Sequence, residues 1–159
     1  VIIEIIDIHP EHLVDFYRWE IDRELQWQTG MEKPRSIVEL MDSYDRYFFG
    51  EEPELYMKSI EVDGSIVGKL ELYETTDAAY IGMIMGERRG EGIGSYALES
   101  FLQDIKAKKG IHHVHAEVYA DNPGSLRFFE RNGFRQTGKT EVEMFRGEER
   151  TLILVERFL

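Results

Sequence analysis

With 159 residues, 42% of them apolar and 12% aromatic, the chain has the composition of one globular domain, and disorder is excluded. At this length folding can bury roughly 70% of the surface that the unfolded chain exposes. A formal net charge of −12, from 19 Lys+Arg against 31 Asp+Glu, argues against nucleic acid and anionic membrane as partners; it either favours a cationic ligand or serves solubility alone.

The chain has no cysteine, which removes thiol nucleophiles, thiolate metal centres and disulfide scaffolds. No run approaches the roughly 18 apolar residues of a membrane span, and Val1 to Asp7 lacks the basic flank of a signal peptide. The expectation is a soluble, cytoplasmic protein forming a single domain over residues 1–159.

Val1 to Asp7 alternates as a strand. Pro10 suits the first turn of a helix on which Leu13, Phe16, Tyr17 and Ile21 share a face. Trp27 to Pro34 reads as a loop. Ser36 then caps a second helix, because Glu39 lies three residues on and Ile37, Leu40, Met41, Tyr44 and Phe48 follow at helical spacing. Met57 to Val62 and Ile66 to Tyr73 flank Asp63-Gly64, a pair suited to a tight hairpin. Ala79 to Met85 extends them into an antiparallel meander.

A helix from about Gly92 to Lys109 carries one apolar stripe of Ile93, Ala97, Leu98, Phe101, Leu102 and Ile105. Lys106, Lys108 and Lys109 suit its negative end, and Gly110 ends it. Val114, Ala116 and Val118 alternate with His115, Glu117 and Tyr119 as a two-faced strand, so strand, helix and strand make a parallel βαβ unit. A short helix runs from Pro123 to Arg131. Strands near Phe134 to Met144 and Thr151 to Phe158 follow, joined by the turn Arg146-Gly147-Glu148-Glu149. The fold expected is a mixed α/β sheet of about seven strands with about four helices on its faces.

The run Arg89-Gly90-Glu91-Gly92-Ile93-Gly94-Ser95, between a strand and a helix, sets bare backbone N–H groups at a helix N-terminus, a recipe for binding a pyrophosphate. A P-loop would need Gly-Lys-Ser/Thr, and Gly94 is followed by Ser95-Tyr96. A dinucleotide fold would need G-x-G-x-x-G in an alternating βα chain, which this is not. Another phosphate ligand, or a purely structural turn, remains.

Two motifs in order resemble those of the GNAT acetyltransferases. Arg89, Gly92 and Gly94 match the family's pyrophosphate motif, Arg/Gln-x-x-Gly-x-Gly/Ala. Glu117-Val118-Tyr119-Ala120-Asp121-Asn122, followed by Ser125 to Phe134, is similar to a strand ending in Asn, a short helix and aromatic-Glu-x-x-Gly-Phe. The likeness is close from about Ile66 to Phe134 and only in outline elsewhere. It implies acetyl-CoA as cosubstrate, a splayed parallel strand pair admitting its pantetheine arm, and a diphosphate held by Arg89, Gly90, Gly92, Ile93, Gly94 and Ser95. Backbone groups of Met83, Ile84 and Met85 would pair with pantetheine as an added strand. Asn122 would contact pantetheine or instead cap the following helix, with Ser125 and Phe129 beside the arm.

The reaction so implied is direct attack by a primary amine, and an alkyl amine with pKa ~10.4 must first lose a proton. Glu117, on the polar face of the strand and aligned with a glutamate of the ribosomal-protein N-acetyltransferase branch, is the expected base. Where many members have the tyrosine that protonates the leaving thiolate, this chain has Phe129. Tyr119, on Glu117's strand face, is the expected substitute, with Tyr80 behind it, unless the thiolate leaves without a protein acid. Trp19, Trp27, Tyr44 and Tyr47, among Glu20, Asp22, Glu24, Asp42 and Asp45, could hold a cationic amine or simply form core and solvated faces. Glu71 and Tyr73 share a strand face that could touch substrate.

The acceptor is expected to be a small cationic amine or a peptide N-terminus. No metal is expected: His113 and His115 share a face, but two ligands make no site and no carboxylate at helical spacing completes one. The resemblance also implies a homodimer, for which the strand-rich C-terminus offers an edge. The alternative function is a non-catalytic acyl-CoA-binding module.

Overall fold

The structure is a computed structural model describing residues 1–159. Its order is β1 (Ile3–Asp7), a 3-10 turn at Pro10–His12, α1 (Leu13–Glu20), α2 (Arg23–Thr29), α3 (Ile37–Phe48), β2 (Leu55–Val62), β3 (Ser65–Glu74), β4 (Ala79–Met85), α4 (Ile93–Lys109), β5 (His113–Tyr119), α5 (Pro123–Arg131), β6 (Arg135–Phe145) and β7 (Glu148–Phe158). All seven strands join one sheet in the order β1-β2-β3-β4-β5-β7-β6. β4 and β5 are parallel, and the other neighbouring pairs are antiparallel. No helix is long and apolar enough to cross a membrane.

The sheet separates two cores. On one face α4 lays Ile93, Ala97, Leu98, Phe101, Leu102 and Ile105 against Leu70, Leu72, Val114, Ala116 and Val118, within a cluster of 19 buried residues. On the other, Phe16, Trp19, Leu25, Leu40 and Tyr44 of α1 to α3 pack with Ile8 and Met57 in a cluster of 8. Burying each large side chain contributes about 1.5–3 kcal/mol before conformational entropy is counted. The alternation of β5 settles which residues face away from α4: with Val114, Ala116 and Val118 turned into the core, His113, His115, Glu117 and Tyr119 project from the opposite face.

Two local expectations are corrected. Trp27 to Pro34 is not all loop, because α2 includes Trp27 to Thr29 and brings the α-helices to five. Asp22 caps it by accepting from the Leu25 N–H at 3.0 Å, and Gly30, at φ 75°, stops it. The C-terminal turn is also tighter than four residues. Arg146 and Gly147, with φ of 51° and 83°, make the reversal alone, so the strands run on to Phe145 and begin again at Glu148.

Candidate active site

β4 pairs with β3 along its whole length, but its parallel ladder with β5 has one register point, Tyr80 opposite His115. Beyond it the strands part, leaving the β5-facing edge of Gly82 to Met85 without a strand partner. A cavity of about 440 Å³ lies on one side of this opening, against the glycine loop and α5. A second, of about 480 Å³, lies on the other, against Glu71, Glu117 and Tyr119. Gln28, Thr29, Met83, Ile84, Ser125 and Phe129 line both, so the two are ends of one groove that passes between the strands.

At the first end, Arg88, Gly90 and Gly92 take φ of 54°, 78° and 81°, a winding that only glycine adopts freely. Gly92 is the N-cap of α4 and no side chain accepts there, leaving the first-turn amides to an external acceptor. A Cβ on Gly90 or Gly92 would meet nothing within 4 Å, so the space before those amides is open. Gly94 is closer packed: a Cβ there would lie 3.3 Å from Met83 Cε and Phe128 Cε1. Ile93 is buried in the core and, alone among the residues expected at the diphosphate, does not line the cavity. Ser95 Oγ accepts from Asn132 Nδ2 at 3.1 Å, and Arg89 Nε donates to the Met85 carbonyl at 2.9 Å. A 17-residue helix with no acid in its first turn and three lysines in its last keeps its positive end unneutralised, which suits an anion.

At the other end stands Glu117, open to the groove. Burial, followed by the negative charges of Glu141 and Glu143, pushes its carboxyl above the usual range. Tyr119 is 8% exposed and donates to Glu143 Oε1 at 2.9 Å. Burial and that carboxylate push its phenol up to about 12. Arg150 fixes the ring: its guanidinium lies 3.7 Å from the Tyr119 centroid, pairs with Asp121 at 2.8 Å and donates to the Trp27 carbonyl at 2.6 Å, tying β7 to α2.

This second cavity carries Glu20, Glu71, Glu117 and Glu143 against Arg35 and Lys69. Glu20 and Arg35 neutralise each other through hydrogen bonds of 2.9 and 3.0 Å; burial alone would raise the Glu20 carboxyl, but Arg35 outweighs it and holds it low. Removing that pair leaves three carboxylates facing one ammonium. Lys69 is itself occupied, 2.6 Å from Tyr44 Oη and over the Phe16 and Tyr44 rings.

Met83, Ile84, Met85, Arg89, Gly90, Gly92, Gly94, Ser95, Asn122, Ser125 and Phe129 all line the first cavity. Asn122 Oδ1 accepts from the Ser125 N–H at 3.2 Å, which makes it the cap of α5. Phe129 is 7% exposed and packs edge-on against Phe128 and Phe134, a core residue whose margin reaches the groove. The aromatic and acidic mixture of the N-terminal helices is mostly elsewhere. Trp19 and Tyr44 are core, Asp22 is a cap, Asp42 and Asp45 are exposed on α3, and Glu20 alone of the acids reaches the second cavity. Sequence reasoning missed Gln28, Thr29, Glu143 and Arg150. The first two fell in the supposed loop; Glu143 reaches the groove through β6–β7 pairing and Arg150 lies behind it against the Tyr119 ring, placements that spacing along the chain does not reveal.

Residues 3–135 match the family model for the acetyltransferase (GNAT) domain. YwnH of Bacillus subtilis (strain 168), a candidate phosphinothricin acetyltransferase by name, is 40% identical over 50 residues. That stretch covers 31% of this chain and 30% of that protein, so the chain spans about a third of the relative it matches. Two solved structures superpose over nearly the whole chain. The spermidine N-acetyltransferase from Vibrio cholerae, in complex with CoA and spermine, gives a TM-score of 0.88 at 18% identity, covering 98% of this chain and 95% of that one. An acetyltransferase from Salmonella typhimurium that modifies the N-terminal serine of 50S ribosomal subunit protein L7/L12 gives 0.81 at 18% identity, covering 99% and 95%. At these identities the structural likeness speaks for the fold.

Proposed function

The chain belongs to the acetyltransferase (GNAT) domain family, and on that premise we propose that it transfers the acetyl group of acetyl-CoA to a primary amine by direct attack in a ternary complex. The observation that carries this reading is the groove through the β4–β5 opening, with an uncapped helix N-terminus at one end and unpaired carboxylates at the other. The diphosphate accepts from the first-turn amides of α4, with Arg89 at the rim, and the pantetheine amides pair with the free edge of Met83 to Met85. Ser125, Asn122 and the margin of Phe129 form the facing wall. The acetyl thioester then reaches the point where the cavities meet, and one domain, residues 1–159, carries both halves of the reaction.

The amine enters from the acidic end. Glu117 takes its proton as the nitrogen attacks; the C–N bond forms, the C–S bond breaks, and the thiolate is protonated by water. A carboxyl pushed up by burial and by its acidic neighbours holds a proton more firmly than an ordinary one, which suits a base. In this reading Tyr119, which donates to Glu143 and whose phenol is pushed up to about 12, shapes the acidic wall and is a poor donor to sulfur. The excess of carboxylates favours an acceptor that is a small cationic amine over one with a neutral body, and a peptide N-terminus with a basic neighbour fits the same charge.

Free-thiol release from acetyl-CoA across a panel of polyamines, aminoglycosides, amino acids and short peptides tests the proposal. It expects release with at least one cationic amine and none with buffer alone. Acetyl-CoA binding without thiol release across the panel would overturn it and leave the non-catalytic acyl-CoA module, the reading that Phe129 at the usual tyrosine position favours.

A further inference from the structure

A second group of chemically capable side chains lies beyond the vertex of the opening. His113 and His115 project from the same face of β5 as Glu117, and the antiparallel register with β7 sets His115 opposite Glu156 and His113 opposite Phe158. One nitrogen from each ring and one Glu156 oxygen lie within 4.8 Å of one another. His113 Nε2 is 2.8 Å from Glu156 Oε1, and the two imidazole centroids are 4.4 Å apart. The rings are held by packing: Phe158 stacks on His113 at 4.1 Å and 3°, and Tyr80 from β4 lies against His115 at 5.7 Å. His115 Nδ1 is shielded from solvent and makes no hydrogen bond of good geometry, with the Ala79 backbone the one polar group set against the ring from β4.

We infer that His113, His115 and Glu156 form a binding site for a divalent transition-metal ion, best matched by zinc. Two imidazoles and a carboxylate are a donor set zinc takes readily, with a fourth position left for water. Metal–ligand bonds of about 2.0–2.2 Å place donors closer together than 4.8 Å, so side-chain rotation must draw them in by about 1 Å while the β5–β7 ladder stays fixed. The ion replaces the proton shared between His113 and Glu156. A route from solvent exists, since the His113 side chain is 40% exposed. Around the group stand Lys139 and Arg135 on β6, balanced by Glu117 and Glu141, so the surroundings do not repel a cation outright. The location gives the ion a purpose in the fold: His115 is the last point at which β5 meets β4, and a metal there pins β5 to β7 where the groove begins. The third ligand comes from 43 residues beyond His113, across a strand pair, and no spacing along the chain announces it.

The test is titration of tag-free, chelator-stripped full chain with zinc sulfate against a chromophoric chelator, with thermal melting in parallel. One zinc per chain is expected, with a rise in melting temperature, and Co2+ should give the intense visible bands of a four-coordinate site. His115→Ala and Glu156→Gln should each weaken zinc by about tenfold or more and abolish the rise, while circular dichroism confirms that both remain folded. If His115→Ala fails to fold, Glu156→Gln, which keeps the side chain's size and an oxygen beside His113, carries the decision. No stoichiometric zinc binding, or binding unchanged in a folded Glu156→Gln variant, overturns the inference.

Discussion

At Glu117 two pressures meet in one side chain: burial and the charges of Glu141 and Glu143 make its ionised form costly, and the proposed reaction needs that form. The activity profile should therefore fall on the acid side through a pKa above that of an ordinary glutamate. Glu117→Gln should lower kcat by about 10²-fold or more and remove the acid limb, as measured by thiol release across pH. Tyr119→Phe, which leaves Glu117 in place, should retain most of the turnover. Stability moves the other way. A carboxyl whose folded pKa is raised contributes stability below its unfolded pKa and loses it as pH rises through the folded value. At neutral pH the charged Glu117 is thus a net cost, and Glu117→Gln should melt higher than the parent, with the difference vanishing in acid. The residue's candidacy was legible from strand alternation and the family likeness. What raises its pKa was not, because Glu141 and Glu143 arrive from β6 across β7.

Among the elements, the glycine loop is met at its start by α1. Gly86 follows β4 directly, its N–H donates to the Val67 carbonyl at 2.8 Å, and a Cβ there would overlap the buried indole of Trp19 in α1. Gly86→Ala should displace that ring, red-shift its fluorescence in a Trp27→Phe background and destabilise the fold by about 1–3 kcal/mol in a denaturant titration. An unshifted spectrum would mean that α1 does not clamp the loop. The elements differ in how plainly the sequence announced them. The Ser36–Glu39 capping box and the stripe of α4 are strong local signals, and both helices form as read. α2 has only seven residues, too few for a period to emerge, though Asp22 before it and Gly30 after it were the signals that could have found it.

Over the whole molecule, the sheet and its α4 layer carry most of the packing, while the N-terminal helices form a smaller, separate core on the opposite face. Phe101 is fully buried at the centre of the larger core and stacks on Tyr56 at 5.9 Å. Phe101→Ala should cost about 3–5 kcal/mol. At this chain length that is a fall of roughly 6–20 °C in melting temperature. The strand order, with β7 inserted between β5 and β6, was not legible, since local pattern identifies strands and not their neighbours. The parallel β4–α4–β5 unit was legible, and from it came the opening on which the proposed function depends. Calorimetric titration with CoA of the parent and of Gly92→Asp tests that dependence most directly. An aspartate held at the φ of 81° that glycine adopts freely strains the loop and sets a carboxylate before the free amides, which repels an anion. One CoA per chain should bind the parent, and Gly92→Asp should remain folded and lose that binding; no heat from the parent, or equal affinity in the two, would contradict the account.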